Sequence, residues 1–203
     1  DGWWVEGGQQ VWVEDGRLQV RANPEPGDVA GSKVCTVWYE RVFDGDIRVE
    51  FDAHVVASEP GVNNINFFLL YSDPARQPLF DSRGARAAAD YSDYHSLNGY
   101  IVTFLQDVSN VEQQWPDATP KARFRLRRCP GFQLLEQVYD YHCQQGITYH
   151  IAMTRRGTRL TYAVDGVVYL EADDPEPLDG GLIGLRTFRT QLWWDNITVT
   201  ALD

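Results

Sequence analysis

Short apolar runs of about four to eight residues recur along the whole chain, each broken by Gly, Pro, Asp or Asn, and no stretch carries the period of an amphipathic helix. A chain of this kind buries its apolar side chains by pairing strands into sheets and laying one sheet on another. About thirteen segments read as strands: Val11 to Val13, Arg17 to Val20, Thr36 to Phe43, Asp46 to Val55, Asn64 to Tyr71, Gly99 to Phe104, Ala122 to Arg128, Gln133 to Tyr139, Tyr149 to Arg155, Arg159 to Val164, Val167 to Glu171, Gly181 to Thr187 and Gln191 to Leu202. Arg156-Gly157 and Asp165-Gly166 are hairpin signals. The expectation is an all-β fold of two packed antiparallel sheets in one domain spanning residues 1–203, with no internal repeat and no linker.

Composition narrows the partners. A net charge of -11 argues against nucleic acid, which requires a broad basic footprint. No apolar run approaches the roughly 18 residues that span a bilayer, so no membrane partner is expected. Met153 is the only methionine, so the numbering is read as starting inside a precursor. The compartment stays open between the cytoplasm and secretion after removal of a signal peptide. Cys35, Cys129 and Cys143 are an odd number without metal-type spacing, and burial as small hydrophobes is expected of them.

Positive charge is concentrated at one place. In Arg123-Phe-Arg-Leu-Arg-Arg-Cys-Pro130, strand alternation puts Phe124 and Leu126 toward the core and Arg123, Arg125 and Arg127 together on the other face. An arginine fork suits a carboxylate or phosphate, although the chain's own 29 acidic residues are an alternative partner. Asn64 and Asn66 share a strand face and offer amides for sugar hydroxyls. Ser72 to Ser96 is too long for a simple connection, and loops of this length usually carry function. It would bring Tyr91, Tyr94 and His95 beside the strand that holds Tyr100.

Several motifs together resemble a known family: Asn63-Asn-Ile-Asn-Phe-Phe, Tyr94-His-Ser-Leu-Asn-Gly-Tyr100, the arginine run to Phe132, Asp165-Gly, Gly184-Leu-Arg-Thr and Trp193-Trp-Asp-Asn196. The chain resembles the YesU-like bacterial domain-of-unknown-function family. That resemblance implies a concanavalin A-like jelly roll and a link to breakdown of pectic polysaccharides such as rhamnogalacturonan. It further implies a concave face that holds sugar, with an oligosaccharide or polysaccharide as partner and no cofactor. On this reading Asn64, Asn66, Arg123, Arg127 and Trp193 bind substrate. Arg125 neutralises a uronate carboxylate while Tyr94, His95 or Tyr100 moves a proton, as β-elimination by a polysaccharide lyase requires. A non-catalytic carbohydrate-binding module and a glycoside hydrolase on neutral sugars are the alternatives.

The hydrolase alternative needs two facing carboxylates. Glu171-Ala-Asp-Asp-Pro-Glu176 matches a jelly-roll hydrolase pattern in letters only, because Pro175, Pro177 and Asp179-Gly-Gly describe an exposed turn. Glu136 and Asp140 share a face but stand about 13 Å apart along an extended strand, beyond the usual glycosidase separation. Asp90 and Asp93 in the long loop remain candidates. Asp195 and Asn196 read as strand-end hydrogen bonders, with a calcium site as the alternative, and no metal is expected.

Overall fold

The computed structural model describes residues 2–25, 28, 32–106 and 122–203, with the side chains of residues 122 and 123 outside that set. The strands are β1 Trp3–Gly7, β2 Gln10–Glu14, β3 Arg17–Arg21, β4 Val34–Asp44, β5 Ile47–Ser58, β6 Ile65–Ser72, β7 Asn98–Gln106, β8 Ala122–Cys129, β9 Gln133–Val138, β10 Thr148–Arg156, β11 Arg159–Val164, β12 Val167–Asp173, β13 Gly180–Phe188 and β14 Thr190–Ala201. They form two seven-stranded sheets, in the orders β1-β4-β13-β6-β7-β8-β9 and β12-β11-β10-β5-β14-β3-β2. Every pairing is antiparallel. The all-β, two-sheet expectation holds. The strand missing from the sequence reading is β1, a five-residue edge strand in which Trp4 and Glu6 are buried.

The hairpin at Asp165-Gly166 forms where the dipeptide signalled it. Both residues have positive φ, 49° and 79°, as a two-residue turn with the right-handed twist of its strands demands. Alternation then builds the core: β5 buries Ile47, Val49, Phe51, Ala53 and Val55 against the first sheet, with the Phe51 ring tilted against Phe67 at 5.4 Å. Phe124 and Leu126 join this core, as alternation requires. All three cysteines are free and buried, and burial pushes the Cys35 thiol up to about 12.

Strands β6, β7 and β13 are buried on both faces, which is why they read as nearly continuous apolar runs. Their outer face is covered by the long connection after β6, which holds two 3₁₀ turns, Arg83–Arg86 and Tyr91–Tyr94. Leu79, Tyr94 and Leu97 from that connection pack with Trp4, Trp38, Phe68, Tyr71 and Ile101 into a second apolar cluster. Gly184 makes this packing possible: a Cβ there would sit 2.8 Å from the Trp38 ring, so only glycine lets the indole lie across β13. Among the described residues no helix is long and apolar enough to cross a membrane.

The outer face of the second sheet carries a charge cluster with a pH signature. His150 Nδ1 lies 2.8 Å from Asp52 Oδ1 and Nε2 lies 3.3 Å from Glu50 Oε1. The hydrogen bond to Asp52, opposed by desolvation, raises the imidazole above its ordinary pKa. A folded pKa above the unfolded one stabilises the protonated form. The contribution is therefore complete below the unfolded value of roughly 6.5 and is lost as pH rises through the folded one. His150→Gln is expected to flatten this part of the stability profile between about pH 6 and 8, read by urea unfolding at successive pH values. Identical slopes in the two proteins would refute the assignment.

Candidate functional site

A single cross-strand row of polar residues runs over all seven strands of the first sheet, on the face turned away from the core. Glu6, Thr36, Arg186, Asn66, Thr103, Arg125 and Gln137 stand in register from β1 to β9. The adjoining row is mostly apolar, with Trp4, Trp38, Gly184, Phe68 and Ile101 ending in Arg127. Seven polar side chains in register on a face that is largely covered carry a desolvation cost, so each must find partners.

At the β1 end the partners come from the covering connection and from β1 and β4 themselves. The Glu6 carboxylate accepts from Trp4 Nε1 at 3.3 Å, Trp38 Nε1 at 3.0 Å, Arg86 Nη2 at 2.9 Å and the Tyr94 hydroxyl at 2.7 Å. Arg186, 1% exposed, donates to Thr36 Oγ1 at 2.7 Å and to the Ala89 carbonyl at 3.0 Å. Its guanidinium also lies 5.0 Å from the Tyr94 ring centre and 5.2 Å from that of Tyr91. This half of the row is sealed.

The β6 to β9 half is arranged differently. Asn64 and Asn66 form a buried floor, Nδ2 of the first donating to Oδ1 of the second at 3.3 Å, and Thr103 is buried beside them. Arg125, half-buried, donates from Nε to the uncharged Gln137 Oε1 at 3.3 Å, and no acidic side chain among the described residues pairs with it. The rim is aromatic: His95 stacks on Phe132 at 3.8 Å, Tyr91 meets both rings edge-on, and the Arg127 guanidinium lies 4.4 Å from the Phe132 centre. Asn64 Oδ1, His95 Nε2 and Arg186 Nε have no hydrogen-bond partner among the described residues. A buried acceptor, a ring nitrogen and a guanidinium N–H therefore remain unsatisfied on one face of one sheet. Burial first, then the positive charges of Arg127 and Arg186, hold the His95 pKa below its ordinary value, so the imidazole is neutral near pH 7.

Of the residues singled out in the sequence, Asn64, Asn66, Arg125, Arg127 and His95 are brought to this face. Arg123 stands opposite Leu105 in the β7–β8 register, and its side chain lies outside the described residues. Tyr94 reaches the face but turns its hydroxyl to Glu6, and burial raises its pKa well above the ordinary tyrosine range. Tyr100 is separated from the group. It points into the inter-sheet core, where its hydroxyl donates to Asp174 Oδ2 at 2.6 Å. Trp193 lies on the second sheet, its ring stacked 5.0 Å from His54 and covered by Arg17 at 4.3 Å. The expectation of an exposed acidic turn at 171–176 needs correction: Glu171, Ala172 and Asp173 end strand β12, and Asp174 is 3% exposed and binds Tyr100 and Arg128. Asn196 is not at a strand end: it lies inside β14 at a register shift and donates to Asp52 Oδ2 at 2.8 Å. Among the described residues no group of three His, Cys, Asp or Glu side chains is placed to hold a metal ion.

Sequence reading missed Glu6, Thr103, Phe132, Gln137 and Arg186. Arg186 carried a usable signal, because an arginine inside the apolar run Leu182-Ile-Gly-Leu-Arg-Thr must be paired when buried.

Comparison with known proteins adds the family. Residues 29–197 match a family described as Domain of unknown function (DUF6250). The chain belongs to that family. No curated protein matches it. Solved structures establish the jelly-roll fold. A Bacillus subtilis protein of unknown function with a galectin-like fold aligns over 97% of this chain and 88% of its own, at 20% identity and a TM-score of 0.76. The B. subtilis carbohydrate-binding module CBM66 aligns over 98% and 96%, at 15% identity and a TM-score of 0.61. The exoplasmic/lumenal domain of VIP36, in a Ca²⁺/Man3GlcNAc-bound form, aligns over 100% and 84%, at 12% identity and a TM-score of 0.63. The chain therefore shares its fold with a carbohydrate-binding module and a glycan-bound lumenal domain, and a fold does not fix a function.

Proposed function

We propose that this chain recognises an acidic saccharide at the β6 to β9 end of the polar row. Arg125 is the observation that carries the reading: a half-buried guanidinium beside buried amides, whose partner among the described residues is the uncharged Gln137. In this assignment Arg125 and Arg127 meet the carboxylate. Asn64 Oδ1 takes a sugar hydroxyl, and the rim of Tyr91, His95 and Phe132 packs against the apolar side of the ring. The galectin-like and carbohydrate-binding-module neighbours support a saccharide, and the YesU-like resemblance supports a pectic one.

The state of His95 favours a second reading, cleavage at the same site. A neutral imidazole with Nε2 unpartnered is competent to take the carbon-bound proton next to a uronate carboxylate held by Arg125. The freed electron pair forms a carbon–carbon double bond, the glycosidic C–O bond breaks, and the leaving oxygen collects a proton from solvent. Tyr94 suits this chemistry less well, because its hydroxyl is committed to Glu6.

Titration calorimetry with oligogalacturonate and with neutral oligosaccharides tests recognition, and absorbance of unsaturated product tests cleavage. Arg125→Lys keeps the charge but loses the fork, and is expected to weaken uronate binding by about 1.5 to 3 kcal/mol, roughly ten- to a hundredfold, with thermal stability changed little. Equal affinity of the two proteins for uronate would remove Arg125 as anchor. Binding of neutral sugars alone would remove the acidic ligand.

A further inference from the structure

The long connection that seals the β1 half of the row also walls a separate cleft of about 860 Å³, at the opposite end of β4 and β13 from the Arg125 site. Trp4 and Phe80 give it aromatic surface, with Phe80 39% exposed and meeting Trp4 edge-on at 5.4 Å. Its polar lining differs in kind from the arginine site. Glu40, Asp73 and Asp179 line it together with Arg76 and the amide of Asn98, and the Arg83 guanidinium covers one face of Phe80 at 3.7 Å from the ring centre. Acceptors dominate, so a carboxylate or phosphate ligand is repelled. A ring whose edges are hydroxyl donors and whose faces are C–H is matched. Pro74 and Pro78 on one wall and Pro177 on the other restrict the backbone, so the cleft is formed before a ligand arrives.

We infer that this cleft is a second binding site, specific for an uncharged sugar residue, with Trp4 and Phe80 as the apolar contact and Glu40, Asp73 and Asp179 as hydroxyl acceptors. It uses none of the residues assigned to the acidic saccharide and stands apart from that reading. The size fits a mono- or disaccharide, within the volume range of small-molecule pockets.

The test is a ¹H–¹⁵N NMR titration of the full chain with maltose, lactose and mannobiose. Dose-dependent shifts are expected at the amides of Phe80, Asn98, Gly180 and Gly181 with at least one of them, leaving Thr103 and Arg125 unmoved. Phe80→Ala is expected to lower that affinity by up to about tenfold, the worth of one aromatic contact. Should this variant fold poorly, Glu40→Gln, on an exposed side chain, replaces a charged acceptor without touching the packing and is expected to lower the affinity severalfold. The absence of shifts with all three sugars, shifts confined to the Thr103 and Arg125 amides, or unchanged affinity in both folded variants would each overturn the assignment.

Discussion

Glu6→Ala is expected to destabilise the protein by about 3–5 kcal/mol, because it strands a buried guanidinium. Glu6 is 2% exposed and Arg86 4% exposed, and the carboxylate also receives the indole N–H groups of Trp4 and Trp38 and the Tyr94 hydroxyl. Removing it leaves all of these donors without their acceptor in a region closed to water. The damage is expected to reach the proposed saccharide site, because Arg86 and Tyr94 tie the connection over β6 and β7 to β1, and the same connection carries Tyr91 and His95. Urea unfolding of Glu6→Ala should show the loss as a lower midpoint at an unchanged m value. The double replacement Glu6→Leu with Arg86→Met should recover most of it, since apolar groups of similar size need no partner. A loss below about 1 kcal/mol for Glu6→Ala would mean that the network is hydrated and that the covering connection is held by its apolar contacts alone.

Asp174→Ala is expected to cost about 2–4 kcal/mol, for a related reason at the other side of the same sheet. Asp174 Oδ2 accepts from the Tyr100 hydroxyl at 2.6 Å and from Arg128 Nε at 2.7 Å, while Oδ1 accepts the Glu176 amide at 3.1 Å. Tyr100 is fully buried, and its oxygen in turn accepts the Leu178 amide at 3.1 Å. One carboxylate thus joins β7 and β8 to the segment that leads into β13. Asp174→Asn keeps the acceptor for Tyr100 and loses the charge facing Arg128, so its loss should fall between those of wild type and alanine. Leu178 and Asp179 wall the cleft assigned to an uncharged sugar, so Asp174→Ala should also broaden the amide signals of residues 177–180 in NMR spectra. Intact, sharp signals there with unchanged stability would show that the turn is positioned by its prolines and not by the carboxylate.

The alternation of apolar and polar residues determined a great deal. It gave an all-β chain with two sheets, assigned Phe124 and Leu126 to the core, and put Arg125 and Arg127 on the opposite face. It did so because side-chain direction in a strand depends only on the parity of the position. The Asp165-Gly166 turn was legible for a similarly local reason, since few dipeptides tolerate two positive φ angles. Tertiary structure alone decided which strands are neighbours. Glu6, Thr36, Arg186, Asn66, Thr103 and Gln137 come from six strands scattered over the chain, and nothing in their local sequence states that they share a row with Arg125. Burial of β7 on both faces left no polar alternation to read, and only the structure shows that Tyr100 faces the inter-sheet core and not the arginines. It placed Trp193 on the other sheet altogether. The covering connection is the clearest case: its length announced a role, yet its seal over half the row rests on a buried Glu6–Arg86 pair formed between residues 80 positions apart. Such a pair depends on low local dielectric and mutual desolvation, which exist only once both sheets and the connection have closed around it.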